Sequence, residues 1–119
     1  MEYILKITLK NGENIVINEE NIPALLENNI LSFQLNDMKH SVNLQTKEFL
    51  RENDEYAFLL DIENQKSQIT LKKEQYNLQV LVEYANLLTN KNEIQLSYFI
   101  ETDDHENVLT IELEEGREK

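Results

Sequence analysis

Cysteine is absent from the 119 residues, which excludes disulfides, thiolate nucleophiles and zinc–cysteine sites. Glycine is nearly absent as well. Gly12 and Gly116 are the only two, so there is no glycine-rich loop to cradle a phosphate and no Gly-x-Ser-x-Gly elbow to present a nucleophile. The chain also has no apolar stretch of the roughly 18 residues that a membrane-spanning helix requires. Glu2, Lys6 and Lys10 interrupt the N-terminal strand pattern and leave no apolar core of signal-peptide length, so the expected location is the cytoplasm. Positive charge is scarce: 11 Lys and Arg stand against 23 Asp and Glu, for a net charge of -12. Because Lys and Arg contacts to phosphate supply most nucleic-acid affinity, this balance disfavours nucleic acid and anionic membrane surfaces as partners.

What the chain does contain is alternation. Tyr56, Phe58, Leu60 and Ile62 form one apolar series, Tyr76, Leu78, Val80, Val82 and Tyr84 a second, and Ile94, Leu96, Tyr98 and Ile100 a third. Successive strand side chains point to opposite faces, so a period of two buries one face and leaves the other wet. Tyr3 to Leu9 alternates in the same way, and Asn11-Gly12 then marks a tight hairpin, because both residues tolerate the positive φ of a type I′ turn. Asn21 to Asn29 breaks the alternation; with Asn21 as a cap, Pro23 in a first turn and Ala24, Leu25 and Leu26 following, it reads as a helix of one to two turns. Leu31, Phe33 and Leu35, a turn at Asn36-Asp37, and His40, Val42 and Leu44 read as a second hairpin. Further turns fall at Asn53-Asp54, Asn64-Gln65, Lys73 to Gln75, Thr89 to Asn92 and Asp103 to Glu106, ahead of a charged tail that holds Arg117. The expected fold is therefore all-β: one domain over residues 1–119, an antiparallel meander of about eight to ten strands that closes into a barrel, with one short helix at a mouth.

Phe49-Leu50-Arg51, then Tyr56-Ala57-Phe58, then a long late strand, on a small chain that opens with a hairpin, is similar to the YwiB-like bacterial family of unknown function. Where that family has a tyrosine-threonine-glycine turn, this chain reads Ile69-Thr70-Leu71 followed by Lys72-Lys73. The resemblance covers most of the chain beyond about residue 30 and implies a calycin-like β-barrel with no known activity or cofactor.

Candidate chemistry is sparse. Ser32, Ser41, Ser67 and Ser97 fall between apolar strand positions, hence on the outer face, and His40 lies in the apolar register, which reads as a partly buried histidine near a barrel rim. Asp103-Asp104-His105-Glu106 has metal-ligand residue types, but consecutive residues of a tight turn point in different directions and recruit their own backbone. No enzyme, metal or cofactor is expected. Arg51 is one of two arginines and sits near a strand end, where a guanidinium clamps an anion or pairs with a neighbouring Glu. All five tyrosines fall in the inward register, and Tyr56, Tyr76, Tyr84 and Tyr98 are candidate walls of a mouth pocket with Arg51 as its anion contact. The expectation is a non-enzymatic barrel that binds a small apolar or amphipathic ligand. The alternative is a protein-interaction module or homodimer using an outer apolar patch of Ile4, Leu50, Leu59, Leu81, Leu87 and Phe99.

Overall fold

The computed structural model describes residues 1–116; Arg117 and the end of the charged tail lie outside the described residues. Ten strands follow one another along the chain: β1 (Glu2–Asn11), β2 (Asn14–Glu27), β3 (Ile30–Leu35), β4 (Met38–Asn43), β5 (Glu48–Glu52), β6 (Tyr56–Asp61), β7 (Lys66–Leu71), β8 (Tyr76–Thr89), β9 (Glu93–Ile100) and β10 (Asn107–Glu115). Each pairs antiparallel with the next, and β10 returns to pair with β1, so the sheet closes. Closure removes the two end edges that an open meander would expose.

The turns follow from which residues accept a left-handed backbone. Asn36 and Asp37 (φ 52 and 63) join β3 to β4, and Asn28 and Asn29 (φ 52 and 67) join β2 to β3. Positive φ at both central residues is the type I′ pattern, whose twist matches that of the flanking strands. The first hairpin uses its glycine differently. Asn11 stays in the ladder opposite Asn14, so Gly12-Glu13 is the two-residue loop, with Gly12 at φ 60. Gly12 is required on a second count: a Cβ there would lie 2.9 Å from the His105 ring.

Two strands of 14 residues each, β2 and β8, make the corners. The early part of β2 pairs with β1, and only Ala24 to Glu27 pairs with β3. Tyr76 to Leu81 of β8 pairs with β7, whereas Val82 to Thr89 pairs with β9. The barrel is therefore two sheets that share β2 and β8. Each shared strand bends at a bulge, the device by which strands switch sheets in orthogonal packings. In β2 the extra residue falls opposite Lys6, where Asn21 takes φ 59. In β8 it is Glu83, between Val82 and Tyr84.

Between the sheets lies one core, whose fully buried centre is Leu5, Ile7, Leu31, Val42, Phe49, Leu60, Leu96 and Ile111. Phe49, Phe58 and Tyr98 meet across it, with ring centroids 5.9 to 6.4 Å apart. The internal cavity is about 10 Å³, about the volume one water needs. A round ten-stranded barrel would leave a wider lumen; flattening into two facing sheets lets side chains fill it.

The structure corrects four expectations. Ser67, expected on the outer face, is buried on the inner one between Leu60 and Val80, where its hydroxyl donates to the Val80 carbonyl at 2.7 Å. The segment expected as a helix, Asn21 to Asn29, is the end of β2 and its turn, and the described residues contain no helix. Ile22, Ala24 and Leu26 keep the period of two and pack on the core; exposed Leu25 on the other face disguises it. Pro23 is tolerated because β3 pairs only from Ala24 onward, so a missing N–H there costs no bond to a second neighbour. The β8 bulge turns Tyr84 outward and Leu87 inward, the reverse of the expected register. Tyr76 and Leu78 keep the inward register, yet they are 55% and 46% exposed, because this part of β8 runs past the corner with no β9 beside it.

Candidate functional site

Alternate turns of a meander share one end of the barrel, so the β1–β2, β3–β4, β5–β6, β7–β8 and β9–β10 turns frame a single mouth. Just inside it, ladder partners line up as a row across the inner face: Phe33, His40, Arg51, Phe58, Ile69 and Leu78. Leu35 with Met38, and Tyr56 with Leu71 and Tyr76, form the row at the rim.

Arg51 is the only charged side chain in the inner row. Its guanidinium carbon lies 5.9 Å from the Phe58 ring centroid, a cation–π contact. Its Nε is buried and has no acceptor. Among the described residues the ion pairs join Lys6 to Glu20 and Glu112, and Lys72 to Glu52, so the neighbouring-Glu role foreseen for Arg51 is not filled. A buried donor without an acceptor costs about 1–3 kcal/mol.

His40 explains why the positive charge stays single. Its ring is 5% exposed and stacks on Phe33 at 4.9 Å and 3°. Burial, and then the Arg51 charge beside it, push its pKa down to about 4. The imidazole is therefore neutral near pH 7, and its Nδ1 also lacks a partner.

Of the four candidate tyrosines the fold gathers three at this mouth. Tyr98 reaches in from β9 and is 3% exposed. Burial raises its hydroxyl pKa, with Arg51 pulling the other way and Asp103 and Tyr56 adding to the rise, so it stays protonated and able to donate. Tyr56 donates its hydroxyl to Met38 Sδ at 3.6 Å. Tyr76 stands at the rim beside Leu71, which is 41% exposed. Tyr84 is not part of the site. It lies outside against Phe99, at 6.0 Å and 82°, and donates its hydroxyl to Glu106; that bond raises its pKa.

A polar belt that sequence reasoning did not foresee closes the side of the mouth. Asn107 is 7% exposed, accepts from Asn11 Nδ2 at 3.0 Å and donates to Asp103. The Asp103–Glu106 turn thus spends its polar groups on closure: Gly12 N–H donates to the Glu106 carbonyl at 3.0 Å. The signal was the ladder position of Asn107, opposite Tyr98 in the inward register.

The outer apolar residues separate into small groups. Leu50 faces Leu59 on neighbouring strands, Leu81 is 70% exposed and lines one outer groove with Leu59, Ile4 lies beside Pro23, Phe99 packs on Tyr84, and Leu87 belongs to the core side. Comparison of the chain with family models, with curated proteins and with solved structures finds no match.

Proposed function

We propose that this chain is a non-enzymatic, calycin-like barrel of the YwiB-like kind that binds an anionic amphipathic small molecule at its mouth. The observation that carries the reading is the Arg51 guanidinium, held at the inner row with a buried Nε that has no acceptor and with no carboxylate paired to it among the described residues. A carboxylate or similar acid fits a planar guanidinium in two-point fashion, which is the geometry arginine serves best. Tyr98 and Tyr56 supply hydroxyls beside it, and His40 adds no charge.

The filled interior fixes where the rest of the ligand goes. A cavity of about 10 Å³ admits no alkyl chain, so the tail lies across the exposed strip Leu71, Tyr76 and Leu78. Global charge opposes an anion, but at physiological salt the screening length is about 8 Å, and the nearby guanidinium outweighs distant carboxylates.

Titration with dodecanoate and dodecanol, followed by calorimetry, tests the reading. Dodecanoate is expected to bind saturably and dodecanol far more weakly. Arg51→Met, which keeps the stem and drops the charge, is expected to abolish the difference. Each tail methylene laid on the strip adds at most about 0.8 kcal/mol, and the gain is expected to stop once the strip is covered. Equal affinity for acid and alcohol, or an unchanged Arg51→Met variant, contradicts the proposal.

A further inference from the structure

Two buried polar atoms of the inner row, Arg51 Nε and His40 Nδ1, have no hydrogen-bond partner among the described residues. Their residues are ladder neighbours on β4 and β5. Both also line the small internal cavity beneath the mouth, where Tyr98 joins them and the other walls are apolar, Phe33 and Phe49 among them. At about 10 Å³ the cavity has room for one oxygen with its hydrogens and for nothing larger.

The two atoms make opposite demands. The Nε of a guanidinium can only donate. A neutral imidazole has one N–H, and in His40 the Met38 backbone takes it; because Nδ1 has no partner, that proton is on Nε2 and Nδ1 presents a bare lone pair. An oxygen that satisfies both atoms must accept from Arg51 and donate to His40. A carboxylate oxygen only accepts, whereas a hydroxyl does both. Resting on the carboxylate reading above, we propose that the cavity is a subsite for one hydroxyl and that the molecule held at the mouth is a 2-hydroxy carboxylic acid with an apolar tail, its hydroxyl accepting from Arg51 Nε and donating to His40 Nδ1.

The guanidinium decides where on the ligand the hydroxyl stands. Nε and the neighbouring Nη donate side by side in one plane, so the two oxygens they hold belong to adjacent positions of one small unit. In a 2-hydroxy acid the hydroxyl is on the carbon beside the carboxylate, and the two groups present their oxygens in that parallel fashion. A hydroxyl farther along the tail travels with the tail toward Leu71 and Tyr76, away from both polar atoms. His40 is then a specificity-determining residue, separating hydroxy acids from plain ones, while the contact between carboxylate and guanidinium serves both. A plain acid leaves the two demands to water, and a hydroxyl that reproduces the same bonds gains by releasing it.

Calorimetric titration of the full chain with dodecanoate, 2-hydroxydodecanoate and 12-hydroxydodecanoate tests the subsite. The 2-hydroxy acid is expected to bind roughly tenfold tighter than dodecanoate, and the 12-hydroxy acid to show no such gain. His40→Phe keeps a flat ring beside Phe33 and removes Nδ1, so in that variant, its folding confirmed by circular dichroism, dodecanoate and the 2-hydroxy acid are expected to bind equally. A second readout needs no variant: the nitrogen resonance of His40 Nδ1 in the labelled wild-type chain is expected to shift further with the 2-hydroxy acid than with dodecanoate. Equal binding of those two acids by the wild-type chain overturns the subsite, as does an equal gain from the 12-hydroxy acid, a preference that survives in folded His40→Phe, or an Nδ1 resonance indifferent to the hydroxyl. Arg51→Met judges the carboxylate reading separately. If dodecanoate binds and weakens in that variant while the hydroxyl adds nothing, the subsite alone falls; if neither acid binds the wild-type chain, both fall.

Discussion

Arg51 and His40 sit side by side in one row, and their environments divide the labour of charge between them. Guanidinium basicity survives partial burial, whereas imidazole basicity does not. His40 therefore gives a test at the scale of one residue. Its folded pKa is about 4 against 6.5 for the free side chain. Between those values the unfolded chain binds the extra proton, so stability falls as pH falls through this window. The expected loss from pH 7 to pH 5 is roughly 2 kcal/mol from this residue, read as a drop in urea midpoint that vanishes in His40→Phe. A wild-type chain equally stable at both pH values would show that His40 is charged when folded. His40 and Arg51 were legible because the alternation set their faces. Tyr84 was not, since a one-residue bulge flips the register without marking composition, and neither was Asn107, a polar residue between the acidic turn and the apolar series that follows it.

At the scale of elements, the ten strands follow from a period of two that survives almost everywhere, while the corners follow from exceptions to it. β2 shows why the exception misleads. Pro23 and the Ala24-Leu25-Leu26 run satisfy local helix rules, but a helix there would turn Ala24 to the face opposite Ile22 and Leu26, and the core rewards keeping the three together. Asn28 and Asn29 then complete a type I′ turn. Two variants separate the alternatives. With Asn29 at φ 67, Asn29→Val is expected to cost about 1–2 kcal/mol because a β-branched side chain clashes in the left-handed region. Asn29→Gly is expected to be neutral or stabilising. Within a helix the order would reverse, since glycine is the poorer helix former, so thermal melts of the two variants decide which local structure this segment holds.

At the scale of the molecule, closure and flattening together determine where anything can bind. The alternation foretold a sheet with a wet and a dry face, and the strand count foretold closure, but not the flattening. That depends on two bulges and on Phe49, Phe58 and Tyr98 meeting across the sheets, contacts between residues far apart in the chain. The consequence is a core with no lumen to spare, which under the proposed function leaves the mouth around Arg51 as the place for a ligand. Amide chemical-shift mapping of the labelled protein during a dodecanoate titration tests this most directly. The expected result is movement of the Arg51, Tyr56, Leu71, Tyr76 and Tyr98 signals, with Ile7, Leu60 and Ile111 in the buried centre unmoved. Shifts that spread through that centre, or that leave Arg51 and its neighbours untouched while others move, would contradict it.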